Sequence, residues 1–419
     1  MIRKTVLDCG LAVISEERAD LSTFALSYTL RGGSRAEERE NSGIHHLIEH
    51  MMFKGSEKYD LKQIAEVSDR LGGTLNALTG KELTQFYIKA IDEKLTESFD
   101  LLTDIVLHAT FPAVEFDREK NVVIQEIRET EDNPDSYAFD LFYEEVFENN
   151  GMGYPIAGQA EVVAAFGRDR VFDFYSQAYR PENLILTAVG NVRHERLVEL
   201  AAKYFSGRPP KRSADFSFTK PAFRFTAGGK KNPSLQQVYA LMGFRGLAFD
   251  SPLKYKYKVM NNILGAGMSS RLFQEIREEK GLAYTISSFS DYFLEDGIHI
   301  VYAIVEPDKT GEYLQAVGEE IGRLKADGIG PDELAWAKDY LKSSLILNLE
   351  SNVNRMRFHV NQELYLQGEM TPERIIDDIH RTTREDIDRL IRDHLDFNRV
   401  ALFLYGNISP EDYTGFKFE

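Results

Sequence analysis

Two stretches of this chain, a little over 200 residues apart, carry nearly the same pattern: ENLILTAVGN, ending at Asn191, and NRVALFLYGN, ending at Asn407. Each follows a helical segment and precedes a charged one. The run Val238 to Met242 with Gly243 likewise resembles Leu26 to Leu30 with Gly32. Repetition at that interval predicts a duplicated α+β domain. Between the copies the character of the chain changes from Ser206 to Lys231, where Pro209, Pro210, Pro221, Gly228 and Gly229 mix with Lys211, Arg212, Lys230 and Lys231. Such breakers mark a linker. At 419 residues the chain also exceeds what one core usually serves. The expected fold class is therefore α+β, as two tandem homologous domains, each a mostly antiparallel sheet packed with helices. Residues 1–208 form the first, 209–231 the linker and 232–419 the second.

Each copy has enough apolar material for its own core, since 43% of residues are hydrophobic and 28% charged. The net charge of −17 argues against a nucleic-acid partner, which needs concentrated Lys and Arg. Basic substrates remain compatible with it, although an acidic surface also simply keeps a chain in solution. No apolar run approaches the roughly 18 residues of a membrane span. Cys9 is the only cysteine, which excludes an intrachain disulfide and a zinc-finger-type site. The N-terminus reads as a hairpin turning at Asp8-Cys9-Gly10 and not as a signal peptide, because Asp8 interrupts its apolar run. Together these features predict the cytoplasm.

In the first half, strands and helices alternate. Phe24 to Leu30 reads as a strand ending before Gly32-Gly33, and Leu61 to Leu71 as a helix capped by Asp60 and stopped by Gly72-Gly73. Thr74 to Thr79 and Leu83 to Ala90 form a strand pair. Glu93 to His108, Glu115 to Glu131 and Ser136 to Phe147 follow as amphipathic helices.

The chemistry concentrates in SGIHHLIEHMMFK, Ser42 to Lys54. In a helix His46 and His50 project from one face a turn apart, near enough to grip one metal ion, with Glu49 beside them. Two neutral imidazoles suit Zn²⁺, and a carboxylate just before the second histidine is placed to act on a metal-bound water. This is the H-x-x-E-H arrangement. Ser42 is the expected N-cap and Gly55 the stop, while Ile44, Leu47, Ile48, Met51 and Met52 flank the polar trio. His45 lies roughly 100° away around the axis and is a poor ligand candidate. The second copy lacks the motif and has a plain helix, Tyr257 to Leu264, in its place.

Two histidines leave a catalytic zinc one protein ligand short. On the helix from Glu115, whose apolar face centres on Phe116, Val123 and Ile127, Glu119 and Glu126 border that face, whereas Glu129 lies roughly 140° from it. Either Glu126 or Glu119 is positioned to complete the site.

The chain resembles the inverzincin metallopeptidases, which include pitrilysin, insulin-degrading enzyme and the mitochondrial processing peptidases, and within them the half-length bacterial branch. The resemblance implies one Zn²⁺ per chain, with the third ligand about 76 residues beyond the second histidine. Glu126 stands 76 positions after His50, and Glu119, seven before Glu126, falls where a supporting carboxylate is expected. Gln125 departs from relatives that often carry an acidic residue there. GGTLNALTGKELTQFY, Gly72 to Tyr87, is similar to the family's edge strand and implies that Asn76 and Ala77 contact an extended substrate. RLFQEIREEKGLAY, Arg271 to Tyr284, is similar to the segment whose arginine and tyrosine assist the scissile carbonyl, which falls on Arg277 and Tyr284, with Phe273 one turn before the arginine.

The resulting expectation is a zinc metalloendopeptidase, of the kind that includes processing peptidases, hydrolysing short or unfolded peptides in a closed chamber. Glu49 is its base, and the second domain assists the substrate. The alternative is a non-catalytic peptide-holding or scaffold subunit of a processing peptidase. Longer relatives build their chamber from two such halves, so a homodimer with a shared active site is expected.

Overall fold

The computed structural model describes residues 2–205, 218–366, 368 and 370–414. They form two units, one of 1–129, 149–219 and 348–364, the other of 130–148, 220–347 and 365–419. Among the described residues no helix is long and apolar enough to cross a membrane.

The first unit is built on a six-stranded sheet of β1 (Ile2–Val6), β2 (Ala12–Glu17), β3 (Thr23–Leu30), β4 (Thr74–Thr79), β5 (Thr84–Ile91) and β6 (Leu184–Gly190), in the order β1-β2-β6-β3-β5-β4. Among the described strands of this sheet only β2 and β6 pair in parallel. β1 and β2 form the hairpin expected around Asp8-Cys9-Gly10, where Gly10 turns with φ of 89°. Alternation along β3 sends Phe24, Leu26, Tyr28 and Leu30 into the main core with the helices. Ala25 points to the opposite face and meets Val189 and Met356. Four helices of this region are α1 (Ile44–Met52), α2 (Leu61–Leu71), α3 (Leu95–Leu107) and α4 (Ala113–Asp132). α2 starts at a capping box in which Asp60 and Gln63 exchange side-chain-to-backbone bonds of 2.8 and 2.9 Å, and stops at Gly72 with φ of 64°. α3 packs on β3 and β5, while α1 lies against the edge strand β4.

The second unit holds β7 (Ala227–Lys231), β8 (Val238–Arg245), β9 (Ala283–Tyr292), β10 (Gly297–Val305) and β11 (Val400–Gly406), in the order β7-β11-β8-β10-β9. This order repeats β2-β6-β3-β5-β4 strand for strand, including the single parallel pair, β7 with β11. The two repeated sequences are β6 and β11. α5 (Pro134–Val146) packs on β8 and β11, and helix Lys254–Leu264 packs on β9.

Of the stretch 209–231 expected as linker, 209–217 lies outside the described residues and Ala227–Lys231 is strand β7. Its glycines are wanted there: a Cβ on Gly229 would come within 2.8 Å of Leu404 O and of the Ile408 side chain. The helix Asn352–Tyr365, far along the second half of the sequence, packs on the first sheet. Met356 sits on Ala25 and Val189, Asn352 reaches Thr23, and both Arg355 and His359 bind Glu16.

Candidate metal centre

The helix α1 is fixed before its chemistry begins. Gly43 takes φ of 91° at its N-cap, and a Cβ there would lie 2.6 Å from Ala157 O. The expected cap, Ser42, does not serve: its Oγ is buried without a hydrogen-bond partner among the described residues. The Glu37 carboxylate caps instead. Oε2 accepts from the Gly43 N–H at 2.7 Å, and Oε1 accepts from the His45 N–H at 3.0 Å and lies 2.9 Å from His45 Nδ1. A buried anion placed there also complements the positive end of the helix dipole. His45 is thereby committed to Glu37, off the ligand face as its angular position predicts. Ile44, Leu47, Ile48, Met51 and Met52 are buried and hold the helix in the core.

The rings of His46 and His50 stand 4.7 Å apart, centroid to centroid. Across from them is Glu126 of α4, whose Oε2 lies 3.7 Å from His46 Nε2 and 3.4 Å from His50 Nε2. One donor atom from each of the three residues falls within 4.8 Å of the others. The set suits zinc, because two ligands at about 2.1 Å from a tetrahedral ion stand about 3.4 Å from each other. Burial first, and the neighbouring His50 second, lower the His46 pKa to about 4, so its imidazole is neutral near pH 7 with a lone pair to give.

Glu119, one helix stripe before Glu126, is buried and uses both oxygens: Oε2 lies 3.1 Å from His50 Nδ1, and Oε1 2.8 Å from Lys54 Nζ. Holding Nδ1 turns the Nε2 edge of His50 toward Glu126. Glu129 is exposed. Glu49 is half-buried, and its Oε2 accepts from the Thr79 hydroxyl of β4. Burial raises its pKa, opposed by that hydrogen bond and by His50. Lys54, Glu37 and Thr79 escape a reading by motif. Lys54 at least stands four residues after His50, and Thr79 lies inside the edge-strand sequence.

Asn76 and Ala77 lie on β4, which pairs only with β5 and so presents an open edge among the described strands. Asn76 Oδ1 accepts the Ala77 N–H at 2.8 Å, so the side chain occupies a group of that edge. Arg277, Phe273 and Tyr284 belong to the second unit and form a group of their own. The Arg277 guanidinium lies over the Phe273 ring at 4.7 Å and the Tyr284 ring at 5.0 Å. Tyr284 is 78% exposed. Arg277 and Tyr284 line an open cavity of about 300 Å³ with Gln237, Leu282, Ile304 and Glu306.

The sequence matches two family models, that described as Insulinase (Peptidase family M16) over residues 12–160 and that described as Peptidase M16 inactive domain over 165–341. It is 34% identical over 392 residues to an uncharacterized zinc protease, YmxG, of Bacillus subtilis, covering 94% of this chain and 95% of that one. It is 30% identical over 419 residues to another uncharacterized zinc protease, from Streptomyces coelicolor, covering 98% and 90%. In fold it is similar to a protease from Helicobacter pylori, with a TM-score of 0.89 at 22% identity over 97% of this chain and 99% of that one.

Proposed function

This chain belongs to the insulinase family, peptidase family M16, and on that footing we propose that it is a zinc-dependent endopeptidase acting on short or unfolded peptides in a closed chamber. The observation that carries the reading is the convergence of His46, His50 and Glu126 on one point, with Glu49 on the same helix and an open strand edge beside it. His46, His50 and Glu126 hold one zinc ion per chain, and Glu119 supports it through His50.

Bound there, zinc supplies a Lewis acid that acidifies a water and polarises the scissile carbonyl. Glu49 takes the proton of the attacking water as the new C–O bond forms, and returns it to the amine nitrogen as the C–N bond breaks. The β4 edge, with Asn76 and Ala77, receives the peptide as an added strand; the Ala77 N–H is released from Asn76 as it does so. Arg277 and Tyr284 stabilise the oxyanion, with Phe273 supporting the arginine. In the working homodimer they act in trans, on the zinc site of the other subunit. Cys9, buried and alone, suits the cytoplasm. The alternative of a non-catalytic subunit is disfavoured by the complete donor set.

The test is elemental analysis together with hydrolysis of an internally quenched peptide. One zinc per chain and chelator-sensitive cleavage are expected; a zinc-loaded protein that cleaves nothing refutes the reading. Mixing Glu49→Gln chains with Arg277→Ala chains tests the shared site, since one site of the mixed dimer has both groups intact. A demonstrated heterodimer without activity refutes sharing in trans.

A further inference from the structure

Glu49 has one hydrogen-bond partner among the described residues, the Thr79 hydroxyl on Oε2. Both ends of this contact are anchored. Thr79 closes β4, opposite Thr84 of β5, and the turn beyond it is fastened down. The Ser34 N–H donates to Gly80 O at 3.0 Å and the Arg35 N–H to Lys81 O at 2.7 Å. The Lys81 ammonium donates to Tyr154 O, and the Arg35 guanidinium is buried against Glu82. A Cβ on Gly33 would stand 2.3 Å from Gly80 O, so the two loops meet backbone to backbone. On the other side, Glu37 secures the start of α1. A donor and an acceptor carried by rigid backbone fix a side chain far better than a loop contact does.

We propose that Thr79 is a positioning residue for Glu49. It engages Oε2, leaves Oε1 to take and return the proton, and ties the base to the strand edge that receives the peptide. This rests on the peptidase reading above. Among the described residues the Thr79 hydroxyl is bonded to the Glu49 carboxylate and to none of His46, His50 and Glu126, so its contribution belongs to the orientation of the base. Misplacing a reacting group by an ångström costs on the order of 100-fold in rate.

The experiment compares the zinc-loaded full chain with Thr79→Val, which keeps the shape and strand preference but loses the hydroxyl, and Thr79→Ser, which keeps the hydroxyl. For Thr79→Val, kcat should fall about 10- to 100-fold with KM within about twofold. Zinc per chain and Tm should match the wild type. Thr79→Ser should recover most of the rate. In a Glu49→Gln background Thr79→Val should add no further loss, because the group it orients is gone. An undiminished kcat in Thr79→Val beside an active wild type overturns the positioning role alone. So does an equal loss in Thr79→Ser, or a loss that travels with missing zinc or a lowered Tm. A wild type that binds zinc and hydrolyses nothing instead overturns the peptidase reading, and this role with it.

Discussion

In the first unit the helix against the edge strand turns His46, Glu49 and His50 toward a partly open site, each histidine keeping 17% of its side chain exposed. In the second unit helix Lys254–Leu264 lies against the edge strand β9 in the same topological place but carries no histidine or acidic residue; its Tyr257 is fully buried with its ring edge-on to His299 at 5.5 Å and to His394 at 5.1 Å. Even the tie between helix and edge recurs in altered form. Where Thr79 donates to Glu49, Ser288 Oγ donates to Asn261 Oδ1 at 2.7 Å. The repeated strand order thus sets a helix against an edge strand twice. Only the first of these helices carries histidines and a glutamate, since Lys254–Leu264 reads KYKYKVMNNIL, which shows that the candidate chemistry lies in a few side chains and not in the strand order.

The strongest break of this comparison is Glu49→Gln, which keeps the shape of the first helix and removes its carboxylate. Peptide hydrolysis should fall by several powers of ten, up to about 10⁴-fold, while elemental analysis still finds one zinc per chain. Metal loss in that variant would make Glu49 a ligand instead. Next, Glu126→Ala should release zinc altogether, whereas Glu119→Ala should weaken zinc affinity about 10- to 100-fold; competition with a chromogenic chelator measures both. Glu129→Ala, on the solvent side of α4, should change neither. In the second unit the loss is one of stability. Tyr257→Ala should cost about 3–5 kcal/mol in urea unfolding, with zinc content per folded chain unaltered.

The smallest effect is a matter of pH. Burial, and secondarily His394, depress the His299 pKa from 6.5 to about 3. The unfolded chain takes up that proton near pH 6.5 and the folded one does not. The contribution of neutral His299 is therefore intact above that value and is lost progressively as pH falls toward 3. The urea midpoint of the wild type should decline more steeply between pH 6.5 and 5 than that of His299→Gln; equal slopes would assign the acid sensitivity elsewhere.

What could be read ahead of the structure follows the range of the interactions. Asp60 and Gln63 announce α2 because a capping box is local, and Gly72 announces its end for the same reason. The pairing of His46 with His50 is set by one turn of one helix. The side-chain face of α4 correctly separates buried Glu119 and half-buried Glu126 from exposed Glu129. The sequence points to Ser42 as the cap of α1 and the structure places Glu37 there, since nothing local reveals that a loop brings Glu37 to those amides. Strand β7 was hidden among glycines and lysines because its pairing partner β11 lies about 170 residues away. The allegiance of Asn352–Tyr365 to the first unit was equally invisible, being written only in contacts with Glu16, Thr23, Ala25 and Val189.

That helix also sets a clock on biosynthesis. The first unit's two amino-terminal segments end at residue 219, but the piece that packs on the Ala25 and Val189 side of its sheet is not finished until residue 364. At about 5–20 residues per second, a ribosome needs roughly 7–30 s to make the intervening chain. Through that interval the Ala25 and Val189 side of the nascent sheet lacks Met356, and the Glu16 carboxylate lacks Arg355 and His359. An amino-terminal fragment ending at residue 219 would remain in that condition permanently, whatever metal it is offered.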